Sequence, residues 1–141
     1  MNRALEYWQR ADIYPPVFLV AAVYNIGLGV AFTFLYKPIL DVLDLAEPYN
    51  ASYITLAAVL IAVQGVAYLF VWRNLAGNTD LIRVGIIYKA GYAAVALYYL
   101  AIGDLLHWVF FLFAVLDIVF LLLFVGALKA IGPARPASAA A

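Results

Sequence analysis

The sequence predicts an all-α fold, an antiparallel bundle of four transmembrane helices, from its composition and from the spacing of its apolar segments. Of the 141 residues, 69% are hydrophobic and only 11% are charged. Soluble domains carry about 25% charged residues, so this chain has too little polar surface to cover a globule in water. Four apolar segments follow one another, each near the roughly 20 residues that cross a bilayer. We therefore predict one membrane domain over residues 1–131 and a disordered tail over 132–141.

The predicted spans are preceded by a short amphipathic stretch. The spans cover about 17–36, 53–72, 84–102 and 105–128. Residues 1–16, MNRALEYWQRADIYPP, place charged side chains on one side of a helix and apolar side chains on the other. That pattern predicts a short helix in the lipid headgroup region, with a frayed polar tail as the alternative.

The connections between the spans indicate how the helices are arranged. Residues 37–52 are acidic yet contain several leucines, which predicts one or two amphipathic turns at the membrane surface. Residues 73–83 are polar and contain a Gly-Asn turn pair. The connection at 102–105 is so short that the third and fourth spans must be adjacent and antiparallel.

The distribution of basic residues predicts the orientation of the bundle. Six Lys or Arg residues flank one side of the predicted spans and only Lys37 flanks the other, so both termini are predicted to be cytoplasmic. We expect the chain to lie in a bacterial inner membrane. The six residues are Arg3, Arg10, Arg73, Arg83, Lys129 and Arg135.

The remaining composition excludes several classes of function. The net charge is zero, so no nucleic-acid partner is expected. The absence of cysteine rules out disulfides, iron–sulfur clusters and thiolate sites, and a single histidine rules out bis-histidine haem ligation within one chain. No metal site is predicted, and no cofactor can be named. His107, close to Asp104 at a helix end, fits a helix cap better than a catalytic pair. Classical enzyme chemistry is therefore not predicted, and no catalytic residue is assigned.

A few polar residues lie inside the predicted spans, and their positions predict a single layer. Two residues on antiparallel neighbours have equal depth when their mean position matches the centre of the turn. The mean of 89 and 117 is 103, inside the third connection, and the same counting aligns Gln64 with Lys89 and Asn25 with Gln64. At about 1.5 Å per residue, Lys89 lies roughly 13 Å inside a core about 30 Å thick.

Energetics require that Lys89 has partners. A charged side chain at the bilayer centre costs about 2.5–3.5 kcal/mol on insertion scales. A carboxylate at the same depth on the adjacent helix compensates the charge, so Lys89 and Asp117 are predicted to interact directly or through water. Asn25 and Gln64 are predicted to complete the hydrogen bonding.

Two interpretations of this layer remain open. In the first, the polar contacts only hold the helices in register, together with small residues at close approaches such as Gly27, Gly29, Gly65 and Gly91. In the second, the layer lines a ligand or ion site, since tyrosines lie beside it at helical spacing. The predicted site residues are Asn25, Gln64, Tyr68, Lys89, Tyr92 and Asp117.

Short motifs resemble those of the small bacterial four-helix membrane proteins of the DoxX-like type. They are NIGLG beginning at Asn25, GVAY ending at Tyr68, Lys89 in the third span and Asp117 in the fourth. Such proteins are mostly uncharacterised, and some resemble subunits of membrane redox systems that handle sulfur compounds or quinones. The resemblance implies a quinone or another amphiphile as a candidate ligand, whereas thiol relay chemistry cannot be carried over to a chain without cysteine.

Two functions are therefore compatible with the sequence. One is the handling of a small amphiphilic molecule or ion at a mid-membrane site around Lys89 and Asp117. The other is a non-catalytic accessory subunit of a larger membrane complex. Membrane lipids are expected partners in both cases, and a homodimer fits both because four helices are few for a transport pathway.

Overall fold

The computed structural model describes residues 10–132, which fold into helices and short connections. Two short 3₁₀ helices, Ala11–Ile13 and Ala76–Asn78, precede the first and third long helices. The α-helices are α1 Pro15–Phe34, α2 Tyr36–Val42, α3 Ser52–Arg73, α4 Thr79–Ala101 and α5 Trp108–Ile131.

Four helical stretches are long and apolar enough to cross a membrane, which confirms the predicted fold class. They are Ala11–Phe34, Ser52–Arg73, Ala76–Ala101 and Trp108–Ile131. Most of the predicted N-terminal interfacial helix, residues 1–9, lies outside the described residues, as does the predicted disordered tail from residue 133 onward.

The four long helices pack as two antiparallel hairpins. α1 packs most extensively against α3 and forms the first hairpin, whereas α4 packs against α5 and forms the second. Contacts between the two hairpins are much sparser. The bundle is therefore built from two pairs whose internal packing is tighter than the packing between them.

Small residues explain the tight packing inside each hairpin. A Cβ added at Gly29 would lie 2.6 Å from the backbone oxygen of Ala58, and one added at Gly65 would lie 2.8 Å from the backbone nitrogen of Ile26. Gly27 and Gly91, which were predicted to serve the same purpose, have nothing within 4 Å of such a Cβ, so that part of the prediction is wrong. In the second hairpin, the buried alanines Ala93, Ala96 and Ala114 form the seam.

The turn between α4 and α5 sets where the last helix begins. Gly103 adopts a positive φ of 75°, a conformation that favours glycine. His107 then caps α5, because its Nδ1 accepts a hydrogen bond from the backbone nitrogen of Val109 at 3.2 Å. The helix therefore starts at Trp108 rather than near residue 105, and the predicted capping role of His107 is confirmed.

The first and second connections also adopt local structure. Residues 37–52 contain most of α2, a helix of 7 residues whose Leu40 is buried. In the second connection, Asn78 Nδ2 donates hydrogen bonds to the backbone oxygens of Phe70 at 3.0 Å and Asn74 at 2.8 Å. These bonds tie the second connection to the end of α3, where the Phe70 carbonyl also accepts a hydrogen bond from the backbone nitrogen of Asn74.

One end of the bundle is filled by aromatic side chains. We call Phe18, Tyr68 and Phe124 the aromatic core; each has an exposed fraction of 0%. The rings of Phe18 and Phe124 are stacked with centroids 4.4 Å apart, and the ring of Tyr68 lies 5.0 Å from that of Phe124. The core lies where α1 and α4 begin and where α3 and α5 end, and it joins both hairpins at that end.

Candidate functional site

A buried ion pair lies at the centre of the bundle. The Nζ atom of Lys89 on α4 is 2.6 Å from Oδ1 of Asp117 on α5, and the two side chains are 1% and 6% exposed. The same Nζ donates a hydrogen bond to Oδ1 of Asn25 on α1 at 2.9 Å. The predicted interaction between Lys89 and Asp117 is therefore confirmed, and the structure shows that it is direct; Asn25 extends it to the first hairpin.

Aromatic rings surround the ammonium group of Lys89. Its Nζ lies 5.1 Å from the ring centroid of Tyr24 and 5.3 Å from that of Phe120. The centroids of Tyr88 and Tyr68 follow at 5.7 and 5.9 Å. Ring faces attract cations, and more strongly where water is excluded. The rings therefore help to stabilise the charged ammonium at a depth where no bulk water is present to solvate it.

A cavity of about 380 Å³ begins at the ion pair and lies between the two hairpins. Its polar end is formed by Asn25, Lys89 and Asp117, and its walls are mostly apolar. It extends away from the aromatic core, toward the end of the bundle that carries α2 and the connection between α4 and α5. Wall residues include Leu28, Phe32, Leu40, Ile54, Ile61, Phe110 and Phe113.

The far end of the cavity lies among exposed residues. Tyr53 and Leu106 both line the cavity, and they are 73% and 67% exposed. Leu40 of α2 also lines it and is 4% exposed. The short helix between α1 and α3 thus contributes a buried side chain to the wall on this side.

The structure brings four of the six predicted site residues to the cavity and leaves two beside it. Asn25, Lys89, Tyr92 and Asp117 line the cavity. The Tyr92 hydroxyl donates a hydrogen bond to the backbone oxygen of Phe110 at 3.3 Å, so it also links α4 to α5. A ligand-binding role for these residues stays a prediction.

Gln64 and Tyr68 occupy a different position from the one predicted. Neither is among the residues that line the cavity. Lys89 donates its hydrogen bonds to Asn25 and Asp117, and Gln64 takes no part in them. The Tyr68 hydroxyl lies near the Gln64 side chain, one helical turn away on α3, without meeting hydrogen-bond geometry. The predicted completion of the hydrogen bonding by Gln64 is therefore wrong.

Several polar atoms around the ion pair have unused hydrogen-bonding capacity. Within residues 10–132, Nδ2 of Asn25, Nε2 of Gln64 and the hydroxyl of Tyr68 are buried without a hydrogen-bond partner. A buried polar group without a partner costs about 1–3 kcal/mol. Of these three residues, only Asn25 lines the cavity.

Sequence reasoning missed much of the aromatic lining of the site, although a signal for it existed. Phe110, Phe113, Phe120 and Phe124 recur around Asp117 at spacings of three and four residues, which places them on one face of a helix. The structure has the first two at the cavity wall, the third beside Lys89 and the fourth in the aromatic core.

The described part of the chain, residues 10–132, contains no group of three or more His, Cys, Asp or Glu residues that could hold a metal ion. Comparisons with protein-family models, with curated proteins and with solved structures find no match to this chain.

Proposed function

We propose that this membrane protein binds a small amphiphilic molecule between its two hairpins. The supporting observation is the cavity of about 380 Å³, which has apolar walls and ends at Asn25, Lys89 and Asp117. Small-molecule sites commonly occupy about 300–1,000 Å³, and a few polar groups among apolar side chains orient the ligand. A molecule with an apolar body and one polar end matches this arrangement.

The position of the ion pair favours binding over a purely structural role. Helices in a membrane associate through close packing and through polar contacts between them. Here the packing is tight toward the aromatic core, whereas the opposite side of the pair borders the cavity. The exposed apolar residues are spread over α1, α3, α4 and α5, as lipid contact requires, so they give no separate support to an accessory subunit.

The expected setting is a bacterial inner membrane with both termini cytoplasmic. In that orientation the aromatic core faces the cytoplasm and the cavity extends toward the outer surface. The class of amphiphiles includes the quinones that the DoxX-like resemblance implies, whose reduced form carries hydroxyl groups. Transport and storage would both begin with this binding step.

Photolabelling tests the proposal. The protein is reconstituted in lipid vesicles and labelled with a long-chain alkyl diazirine, and adducts are mapped by mass spectrometry. We expect saturable labelling of wall residues such as Leu28, Ile61 and Phe113. Non-saturable labelling restricted to lipid-facing residues such as Val63 and Ile87, which are 59% and 71% exposed, would contradict the proposal.

A pair of matched variants provides the control. Ala57 lines the cavity, so Ala57→Phe places a ring at its wall. Ala94 on α4 is exposed, as Ala57 is, but it does not line the cavity, so Ala94→Phe makes the same chemical change away from the cavity. Labelling of the wall residues is expected to fall in the first variant and to remain in the second.

A further inference from the structure

The hydrogen-bonding groups at the polar end of the cavity indicate which polar group the ligand carries. This inference rests on the proposed function and specifies the chemical class of the ligand. We infer that the site takes a neutral amphiphile whose polar end donates a hydrogen bond, with a long-chain alcohol as the simplest representative. Three properties of the site carry the argument: its charge, the accessibility of its groups and the tyrosines beside it.

The charge of the site excludes an ionised polar end. Lys89 and Asp117 compensate each other at 2.6 Å. An anion or cation brought to the same depth would add an uncompensated charge, which is costly near the middle of a bilayer. A neutral polar group adds no such charge, and it leaves the ion pair intact.

The accessibility of Lys89 and Asp117 from the cavity indicates whether the polar end of the ligand donates or accepts a hydrogen bond. Both side chains line the cavity, but that of Lys89 is only 1% exposed and its ammonium already donates to Asn25 and Asp117, whereas the Asp117 side chain is 6% exposed. Of the two carboxylate oxygens of Asp117, only Oδ1 accepts a hydrogen bond from the described residues, and its donor is Lys89. The second oxygen has no hydrogen-bond partner among the described residues and is not fully buried. Because Asp117 lines the cavity, this oxygen is accessible from it. A carboxylate oxygen can only accept, and its complement is an O–H or N–H group.

The tyrosines favour a hydroxyl over a group that only donates. Tyr24 and Tyr88 line the cavity next to the ion pair. A phenol can donate to a lone pair on the ligand. A ligand hydroxyl can therefore donate to Asp117 and accept from one of these phenols at the same time, while its apolar tail follows the wall toward Tyr53 and Leu106.

Probes that share their size but differ in the polar end test this inference. Protein in lipid nanodiscs is heated with 1-decanol, its isomer methyl nonyl ether, undecane, decanoate or decylammonium, and unfolding is followed. A ligand that binds the folded protein raises Tm. We expect the largest increase with 1-decanol, and roughly tenfold or more weaker binding of the ether and the alkane, because they cannot donate to the carboxylate. Equal stabilisation by the ether or by decanoate would overturn the inference.

The same variants separate this inference from the proposed function. Ala57→Phe is expected to remove the Tm increase with 1-decanol, and Ala94→Phe is expected to retain it. If the increase depends on Ala57 but is equal for all five probes, the head-group inference fails and the binding function stands. If every probe shifts wild type and Ala57→Phe equally, the probes act through the bilayer and both proposals fail.

Discussion

The two ends of the bundle use the same four helices in opposite ways. At one end, Phe18, Tyr68 and Phe124 pack across the gap between the hairpins and leave no room. At the other end, each hairpin is closed by its own small residues, such as Gly29 against Ala58 and Ala93 against Ala114. There the large side chains of the two hairpins line the space between them without filling it, and the cavity results. Small residues close each pair, whereas the large residues between the pairs fill the gap at one end and only line it at the other, so the site is open at one end.

The ion pair forms the boundary between these ends, and its loss is expected to have the largest effect. Lys89→Met or Asp117→Asn alone leaves an uncompensated polar or charged group, and breaking a buried pair costs about 3–5 kcal/mol. Unfolding in detergent should show that the double variant loses much less than the sum of the two single losses. Additive losses would contradict direct coupling between the two side chains.

The filled end can be weakened separately. Phe124→Ala removes a ring with an exposed fraction of 0% that contacts both Phe18 and Tyr68. We expect a loss of about 3 kcal/mol in the free energy of unfolding, the lower range for such a substitution in a core, because lipid already solvates apolar groups in the separated helices. Phe34→Ala is the matched control, since Phe34 is 76% exposed. Equal losses in the two variants would show that the aromatic core contributes no special packing.

The seam of the first hairpin gives the smallest expected effect. Gly29→Ala places a Cβ 2.6 Å from the backbone oxygen of Ala58, so the helices must separate. Overpacking of this kind costs about 1–3 kcal/mol. Gly27→Ala, with nothing within 4 Å, should leave stability unchanged or slightly raised. The measurement is again unfolding in detergent, and an unchanged Gly29→Ala variant would contradict the close-packed seam.

The sequence was sufficient for the number of spans and for the pairing of Lys89 with Asp117, whereas the structure was needed to show that the contact is direct. Both depend on counting along the chain, because helix rise converts residue number into depth. Counting does not reveal the direction of a side chain around its helix. Asn25 and Gln64 were assigned the same depth, yet only Asn25 bonds to Lys89.

The cavity could not be predicted because it depends on which helices pair. The space between the hairpins follows from close contacts such as those of Gly29 with Ala58 and Ala62, and these draw α1 toward α3. The wall contribution of Leu40 likewise depends on the path of α2, which no periodicity in the predicted spans specifies.

The location of the ion pair within a single hairpin also bears on how the chain enters a membrane. During synthesis Lys89 on α4 is made first, and its partner Asp117 follows 28 residues later on α5. A lysine at mid-membrane costs about 2.5–3.5 kcal/mol on insertion scales until that partner arrives. α4 and α5 are therefore best inserted together, as one unit whose charges are already neutralised. The contact of Lys89 with Asn25 can form afterwards, when this unit meets the hairpin of α1 and α3 in the bilayer.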